Sequence, residues 1–466
     1  MMPIHSCTHQ TRREFIKASL LSACIAATTI PAKADIITDD EIKAVLYEDG
    51  QLDIYADDYE PLDSQPIKEW SIPRDQGPNA GKSPFYSHGD LIKSVTVHPG
   101  VKPITMRYWF ADCINLVTID FSGINTSECV DMQGLFSGCR ELVGTKTIRS
   151  KASVYLKLIR SYMEALDITR EKAEIVLQNE RGWSTIGYNN LTEEDCSTYV
   201  LDLSFFDTSL CRNMSYMFHG CGPRYSSWLR NIEPVLNISS FDASSCINMS
   251  HMFDECGYTT LEYGSFNTSS CQDLSFAFHR SGMKRTPLNS FLDTSSCINM
   301  SGMFDHYTLS QSDISSLNTS SCTDMSYLFA NCILPTELDL TTFDTSSCRS
   351  MQGMFMYDDS FATPSGESFL FALNTCFDTS SCEDMSLMFY GCSNLSQLDT
   401  ESFTTSPSTD LTMMFADCSS LRELNLSGFS EESLTLYLDS MFIGTSERLD
   451  ITWPPDWQQV KEDVGF

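Results

Sequence analysis

The chain has 466 residues, of which 62 are Asp or Glu and 30 are Lys or Arg, so its formal net charge is −32. Because phosphate groups bind Lys and Arg, this balance argues against nucleic acid and anionic membrane surfaces as partners. It suits a protein that meets basic partners or cations. With 42% hydrophobic residues, the chain can bury a large core.

Residues 1–34 have the pattern of a cleavable secretory signal peptide. A basic segment precedes an apolar run over 18–30, and an A-x-A pattern then predicts cleavage before Asp35. The residues that carry this pattern are Arg12, Arg13, Phe15, Ala32 and Ala34. The paired arginines followed by Phe-Ile-Lys resemble the bacterial twin-arginine export signal. The run is shorter than the roughly 20 residues that a membrane-spanning helix needs.

A lipoprotein signal is the alternative interpretation of the same segment. Residues 21–24 read Leu-Ser-Ala-Cys and resemble a lipoprotein box, in which Cys24 would be lipidated. Only six residues separate Lys17 from Cys24, which is short for an apolar region. We therefore favour cleavage after Ala34 and leave lipidation of Cys24 open.

Residues 35–100 are predicted to form a β-rich N-terminal cap. Two alternating segments, 44–47 and 52–55, flank the turn-forming pair Asp49-Gly50 and indicate a β-hairpin. A further alternating segment at 94–97 then leads into the remainder of the chain.

Residues 101–452 consist of repeats, each about 25 residues long. The unit is clearest at 317–332, which reads LNTSSCTDMSYLFANC, and degenerate copies at Phe110 and Phe442 begin and end the series. The last Phe of the unit marks the predicted repeat core: Phe136, Phe218, Phe253, Phe278, Phe304, Phe329, Phe355, Phe389 and Phe415. Because one such unit cannot bury its apolar face alone, we expect the units to stack.

Each unit is predicted to contain one short helix and one short strand. From Cys322, apolar residues recur at i, i+3, i+6, i+7 and i+10, which is one face of a helix. Ser321 and Asp324 have the spacing of a capping box. Alternating segments such as 201–203 indicate a half-buried strand before the helix. The expected fold is therefore an α/β solenoid on the leucine-rich-repeat plan, with an N-terminal β-hairpin cap.

The repeat motif resembles that of the BspA-type leucine-rich-repeat surface proteins of bacteria. The shared elements are Leu-Asp-Leu, Phe-Asp-Thr-Ser, Asp-Met-Ser-x-Met-Phe and a final Cys, and they cover most of the chain after residue 34. The chain departs from the family at a column of cysteines, Cys322 among them, where the family usually has Val. The resemblance implies binding or adhesion, often to other proteins, and names no partner.

Two segments depart from the repeat. The period breaks at 143–195, where the apolar spacing predicts a helical insertion. Residues 144–190 contain eight basic and five acidic residues, which locally reverses the sign of the charge. This insertion is either an arm that binds a partner or, as we favour, an enlarged repeat with a solvated helix. Residues 453–466 form a C-terminal tail.

Most of the 19 cysteines fall into two columns of the repeat. Within one unit the columns are ten residues apart, as in Cys322 and Cys332. Along a helix that distance is about 15 Å, which is too long for a disulfide. The seventeen cysteines after residue 34 are an odd number. We therefore predict buried thiols that pack as small hydrophobic side chains, with some disulfides as the alternative.

No catalytic or metal-ligating motif is recognisable, so the sequence predicts neither enzyme activity nor a cofactor. Four histidines occur near the ends of the predicted helices, and we interpret them as exposed residues spread along the stack: His219, His251, His279 and His306. Acidic residues hold the outward strand positions in several repeats: Asp120, Asp202, Asp339 and Asp399. They would form an acidic binding face for basic proteins or cations, or be merely solvated, since stacked like charges are unfavourable.

These observations predict an exported bacterial protein that is periplasmic, secreted or attached to the cell surface. We expect it to bind a protein partner or a host or surface ligand, with no nucleic acid, no transmembrane span and no catalysis. Two alternatives stay open. The chain could be a periplasmic metal- or cofactor-binding enzyme that is exported folded, or a structural envelope lipoprotein.

Overall fold

The computed structural model describes most of the chain after residue 40. The described residues are 41–56, 66–77, 81–148, 197–223, 234–283, 288–333, 340–357, 369–372, 377–406, 408–430, 434, 437, 438 and 440–455. The predicted signal peptide lies outside them, and so do residues 149–196 of the predicted helical insertion and 456–466 of the predicted tail.

The described strands form three sheets. The first sheet has the order β3-β1-β2-β4-β5 and contains β1 (Glu41–Tyr47), β2 (Gln51–Tyr55), β3 (Pro66–Pro73), β4 (Ser94–Val97) and β5 (Thr118–Asp120). The second has the order β6-β7-β8-β9 and contains β6 (Thr145–Ile148), β7 (Ser197–Asp202), β8 (Val235–Asn237) and β9 (Thr260–Glu262). The third has the order β10-β11-β12-β13 and contains β10 (Phe369–Ala372), β11 (Leu395–Asp399), β12 (Glu423–Asn425) and β13 (Asp450–Thr452).

Strand pairing is antiparallel where β1 meets β2 and β3 and where β6 meets β7, and it is parallel between the other paired strands. β1 and β2 form an antiparallel hairpin with Val45 opposite Asp53, and Gly50 makes the turn at a φ of +89°. From β2 through β4 to β5 the pairing is parallel, as it is from β7 to β9 and from β10 to β13. Parallel pairing places strands of successive units side by side in the same orientation.

The prediction of one helix per repeat is wrong. Among the described residues, the only α-helix with continuous bounds is α1 (Gln311–Ile314), a four-residue turn capped by Ser310. Residues 434, 437, 438, 440 and 441 are also helical, and single 3-10 turns occur at Gly89–Leu91 and Leu288–Ser290. The rest is β-strand, turn and irregular structure. The leucine-rich-repeat solenoid of paired strands and helices is therefore corrected to a mostly β structure with three small sheets.

Turns that bond to the next repeat replace the expected helices. In 300–307, the amide N–H groups of Met300, Gly302 and Phe304 donate to carbonyls of the following repeat, at 2.7–3.2 Å. The intervening N–H groups of 303, 305 and 307 donate to the carbonyl three residues earlier. An α-helix would consume all of these donors within itself. The alternation instead divides the backbone donors between closing the turn and joining the next repeat.

Residues in the left-handed conformation prevent these segments from continuing as helices. Gly302 and His306, four residues apart, have φ values of +58° and +59°, and Tyr327 and Asn331 repeat the arrangement at +56° and +53°. A right-handed helix cannot contain such residues. The apolar residues have the spacing of a helix for a different reason. Turns closed from i to i−3 also bring every third or fourth apolar side chain to one side of the backbone.

The predicted capping box at Ser321 and Asp324 serves a turn instead of a helix, and a later repeat has the same arrangement. Asp324, paired by sequence spacing with Ser321, accepts the backbone N–H of Ser326 at 2.9 Å, and Asp384 accepts that of Ser386 at 2.8 Å. A carboxylate that accepts the N–H two residues on forms an Asx turn. The Asp or Asn of the motif thus closes the bend that precedes each left-handed residue.

The recurring Phe side chains form one continuous stack in the core. Rings of successive repeats lie 5.5–6.3 Å apart between centroids and within 28° of parallel. The stack runs through Phe110, Phe136, Phe218, Phe253, Phe278, Phe304, Phe329, Phe355, Phe389, Phe415 and Phe442, all of them buried. Offset-stacked aromatic pairs contribute about 0.5–1.5 kcal/mol beyond the burial of their area.

The Thr of the Phe-Asp-Thr-Ser motif links each repeat to the next. Thr319 donates its hydroxyl to the carbonyl of Asp344 at 3.0 Å and accepts the N–H of the same residue at 2.8 Å. Thr294 makes the same pair of bonds with Asn318. The hydroxyl is buried, so it satisfies a backbone donor and acceptor that water cannot reach. One repeat has Ala243 in this position and lacks the hydroxyl.

The structure describes fifteen cysteines, all buried and all with free thiols. The predicted role as small buried side chains is therefore confirmed for these fifteen; Cys196 and Cys376 lie outside the described residues. Thiols of the first column donate to backbone carbonyls, as Cys322 does to Asp324 at 3.2 Å. Burial raises the pKa of Cys322 to about 12, so the thiol stays protonated at neutral pH.

Replacing Thr319 by Val should lower the free energy of unfolding by about 1–3 kcal/mol, because it leaves the backbone N–H and C=O of Asp344 without partners. The converse change, Ala243→Thr, should raise it by about 1 kcal/mol. Ala243→Val is the matched control, since it adds similar volume without a hydroxyl. Chemical denaturation measures all three. Equal stability of the Thr and Val variants at position 243 would contradict the role assigned to the hydroxyl.

Native protein at pH 8 should resist alkylation of Cys322 by iodoacetamide, because only about one thiol in ten thousand is ionised at a pKa near 12. In denaturant all fifteen described cysteines should become alkylated without prior reduction. Peptide mass spectrometry measures both states. Disulfide-linked peptides from the two columns, or rapid native labelling of Cys322, would contradict the structure.

Candidate functional site

One column of the repeat carries alternating His and Asp side chains. The position immediately after the stacked Phe is occupied in four successive repeats by His219, Asp254, His279 and Asp305. Since the stacked phenylalanines align successive repeats, their following residues are brought side by side. We call these four residues the His–Asp row; His251 and His306 flank it.

Asp254 is the centre of the first half of the row. Its carboxylate lies 2.7 Å from Nδ1 of His251, 2.6 Å from Nδ1 of His279 and 3.6 Å from Nε2 of His219. The Asp254 side chain is only 7% exposed. Burial would raise the pKa of Asp254, but the hydrogen bonds with His251 and His279 outweigh it and lower the pKa to about 2. The carboxylate is therefore charged and anchors three imidazoles.

Asp305 has the corresponding position in the second half of the row. One carboxylate oxygen lies 2.6 Å from Nδ1 of His306, and the other lies 3.5 Å from Nε2 of His279. Asn331 donates its side-chain amide to Asp305 at 3.1 Å. His279 therefore stands between two carboxylates and faces one with each ring nitrogen. One ligand atom each from His279, Asp305 and His306 lie within 4.8 Å of one another, a spacing that can hold a metal ion.

A second surface feature is a row of aromatic side chains two residues before the stacked Phe. We define the aromatic row as Tyr108, Tyr216, His251, Phe276 and Tyr327, all half-buried and all left-handed in backbone conformation. Tyr216 stacks on His251 with ring centroids 4.4 Å apart, and His251 stacks on Phe276 at 4.9 Å.

Glycine in the intervening repeats makes room for the rings of the aromatic row. A Cβ placed on Gly302 would come within 2.2 Å of the ring of Phe276, and one on Gly353 within 2.5 Å of the ring of Tyr327. The rings of Phe276 and Tyr327 therefore each lie directly over a glycine of the next repeat. Burial, with the nearby charge of Asp384, raises the pKa of Tyr327. The row thus places packed aromatic rings next to carboxylates such as that of Asp384.

The predicted acidic face is distributed over different sheets. Asp120, Asp202 and Asp399 end β5, β7 and β11, one in each sheet, and Asp339 lies outside the described residues. Within the described strands, no two of these residues pair with each other. Each accepts the backbone N–H two residues on, at 2.9–3.1 Å. Their side chains close turns, and a binding role for them stays a prediction.

The signal residues Arg12, Arg13, Phe15, Ala32 and Ala34 lie outside the described part of the chain. None of the helices that the structure describes has the length and apolar composition needed to cross a bilayer.

The grouping of the histidines was not predicted from the sequence. His219, His251, His279 and His306 were expected to be separate, exposed helix-end residues, whereas Asp254 and Asp305 join them. Alignment of the repeats on the stacked Phe would have shown the alternation of His and Asp at the next position. The histidines alone were expected to be spread along the stack, and the acidic residues that hold the same position in the alternate repeats were not predicted to join them.

A protein-family sequence model described as "Mycoplasma protein of unknown function, DUF285" matches the chain three times, over residues 173–291, 283–369 and 366–457. Neither the curated proteins nor the solved structures contain a significant match. The three matches follow one another through the repeats and together cover more than half of the chain. The chain is therefore a repeat protein that belongs to the DUF285 family.

Proposed function

We propose that this chain is an exported, non-catalytic repeat protein that binds a basic protein partner. The observation that carries the proposal is the aromatic row, in which Tyr216, His251 and Phe276 stack on one another and the rings of Phe276 and Tyr327 pack over glycines of the next repeat. Aromatic side chains are enriched where proteins bind one another. Side chains that are already packed lose little conformational freedom on binding.

The charge of the chain supports the choice of a basic partner. The formal net charge is −32, and the half-buried carboxylates of Asp131, Asp273, Asp324 and Asp384 recur three residues before the positions of the aromatic row. Such a surface attracts cationic proteins over long range and repels acidic ones. The resemblance of the repeat motif to BspA-type surface proteins also supports binding or adhesion.

Export is proposed from the sequence of the leader. Arg12 and Arg13, followed by Phe15, resemble a twin-arginine signal, a route that carries folded passengers. Fifteen buried free thiols agree with folding in a reducing compartment before export. Periplasmic, secreted and surface-attached locations are all compatible with this route.

The double variant Phe276→Ser/Tyr327→Ser should lose most of its capture of partner proteins, because it removes two apolar rings from the aromatic row. The measurement is crosslinked pulldown from envelope and medium fractions at low and high salt, with melting temperatures as a check of folding. Captured proteins should be basic, and their yield should fall as salt screens the attraction.

The matched control is Tyr86→Ser/Phe205→Ser, which removes two aromatic side chains outside the row that are 63% and 45% exposed. This control should capture as wild type does. Equal capture by wild type and the row variant, or capture that does not change with salt, would refute the proposed binding surface.

Changing Arg12→Lys and Arg13→Lys together should keep the protein in the cytoplasm, because the twin-arginine route requires the arginine pair. Cell fractionation measures the location, and mass spectrometry of the exported wild type should find Asp35 at its N-terminus. A lipidated Cys24 would instead favour the lipoprotein alternative. Unchanged export of the double variant would exclude the twin-arginine route.

A further inference from the structure

The second half of the His–Asp row brings three metal-ligating side chains together from two adjacent repeats. His279 belongs to one repeat, and Asp305 and His306 belong to the next. One ligand atom from each lies within 4.8 Å of the others. The His279 and Asp305 side chains are 18% and 17% exposed and that of His306 is 38% exposed, so the group is ordered by packing and open to solvent on one side.

The imidazole of His279 lies between two carboxylates. Its Nδ1 lies 2.6 Å from a carboxylate oxygen of Asp254. Its Nε2 lies 3.5 Å from a carboxylate oxygen of Asp305. Imidazole nitrogens and carboxylate oxygens are both ligands of Zn²⁺, so Nε2 and Asp305 can coordinate the same ion.

Asp254 also gives His279 the second contact that metal-ligating histidines usually make. A ligating imidazole typically donates its other N–H to a carboxylate, which fixes the tautomer and raises the basicity of the ligating nitrogen. Asp254 accepts this bond while it also holds His251 at 2.7 Å. His279 is therefore oriented with Nε2 toward Asp305 before any ion binds.

Arg280 opposes binding of a cation at His306. Its guanidinium lies 3.4 Å from Nε2 of His306 and 3.7 Å from Glu255. Arginine can only donate, so in this arrangement Nε2 of His306 accepts and Nδ1 donates to Asp305 at 2.6 Å. A metal ion on His306 must displace that bond and would be repelled by the guanidinium. The Arg280 side chain is 45% exposed and has room to move away.

We propose that His279, Asp305 and His306 bind one divalent transition-metal ion of the Zn²⁺ class, with Asp254 as the positioning residue for His279. Two imidazoles and one carboxylate are ligands that Zn²⁺ accepts, and three protein ligands leave a fourth position for water or a ligand group. Mg²⁺ and Ca²⁺ prefer sites made of oxygen ligands and are poor candidates. The ion would join two neighbouring repeats.

The test is isothermal titration of the purified full chain with ZnCl₂, with MgCl₂ as the comparison. Asp305→Asn and His279→Gln should each weaken Zn²⁺ binding by more than about tenfold, and Asp254→Asn by about 10- to 100-fold. Arg280→Gln should strengthen it, because the competing positive charge is removed. Melting temperatures without metal check that each variant folds.

His219→Gln is the matched control, because His219 occupies the same column and contacts Asp254 but supplies no ligand. Its Zn²⁺ affinity should equal that of wild type. Zn²⁺ binding is assigned to this site only if the Asp305→Asn substitution removes it. The proposal is overturned if folded Asp305→Asn and His279→Gln bind Zn²⁺ as wild type does, or if His219→Gln weakens binding as much as they do.

Discussion

The structure depends on how the backbone N–H groups of each repeat are divided. Between 300 and 307, every second N–H donates to a carbonyl of the next repeat, and the others close turns within their own repeat. Left-handed residues four positions apart, such as Gly302 and His306, turn alternate peptide groups outward so that this division is possible. Because buried backbone donors must be paired, a repeat with this backbone satisfies all of its N–H groups only when another repeat lies beside it.

That constraint aligns the repeats. Residues at the same position of successive repeats therefore lie next to one another and form columns. The Phe side chains form a stack, Thr hydroxyls such as that of Thr319 join neighbouring turns, and the thiols fill the remaining buried positions. On the surface the same alignment places one residue of each repeat beside its equivalent in the next. The aromatic row and the His–Asp row are two such columns, and both proposals depend on them.

Sequence reasoning identified the repeat, its period and the buried positions, because apolar residues recur at fixed intervals. The hairpin around Gly50 and the strands Ser94–Val97 and Ser197–Asp202 lie where alternation indicated them. The helices were wrong, because turns closed from i to i−3 give nearly the same apolar spacing as a helix. Left-handed residues such as Tyr327 and His251 carry no sequence signal of the kind that glycine provides.

The candidate site was not predicted from the sequence, for a related reason. The carboxylate of Asp254 and its three imidazoles are separated by up to 35 residues in sequence and meet only through the register of adjacent repeats. The recurrence of Phe253 and Phe278 in the sequence shows which residues of adjacent repeats are equivalent. A helical repeat, however, would have placed these equivalent residues at a different distance from one another. By contrast, the buried thiols were predictable. The cysteines recur with the same period as the apolar residues, and this period marks buried positions whether the backbone forms a helix or a series of turns.

The division of backbone donors can be observed directly by NMR through scalar coupling across hydrogen bonds. The account predicts a coupling between the amide nitrogen of Gly302 and the carbonyl carbon of Ser326, whose oxygen accepts that N–H at 2.7 Å. A coupling from Gly302 to the carbonyl of Ile298, four residues earlier, would show an α-helix in this segment and would contradict the account.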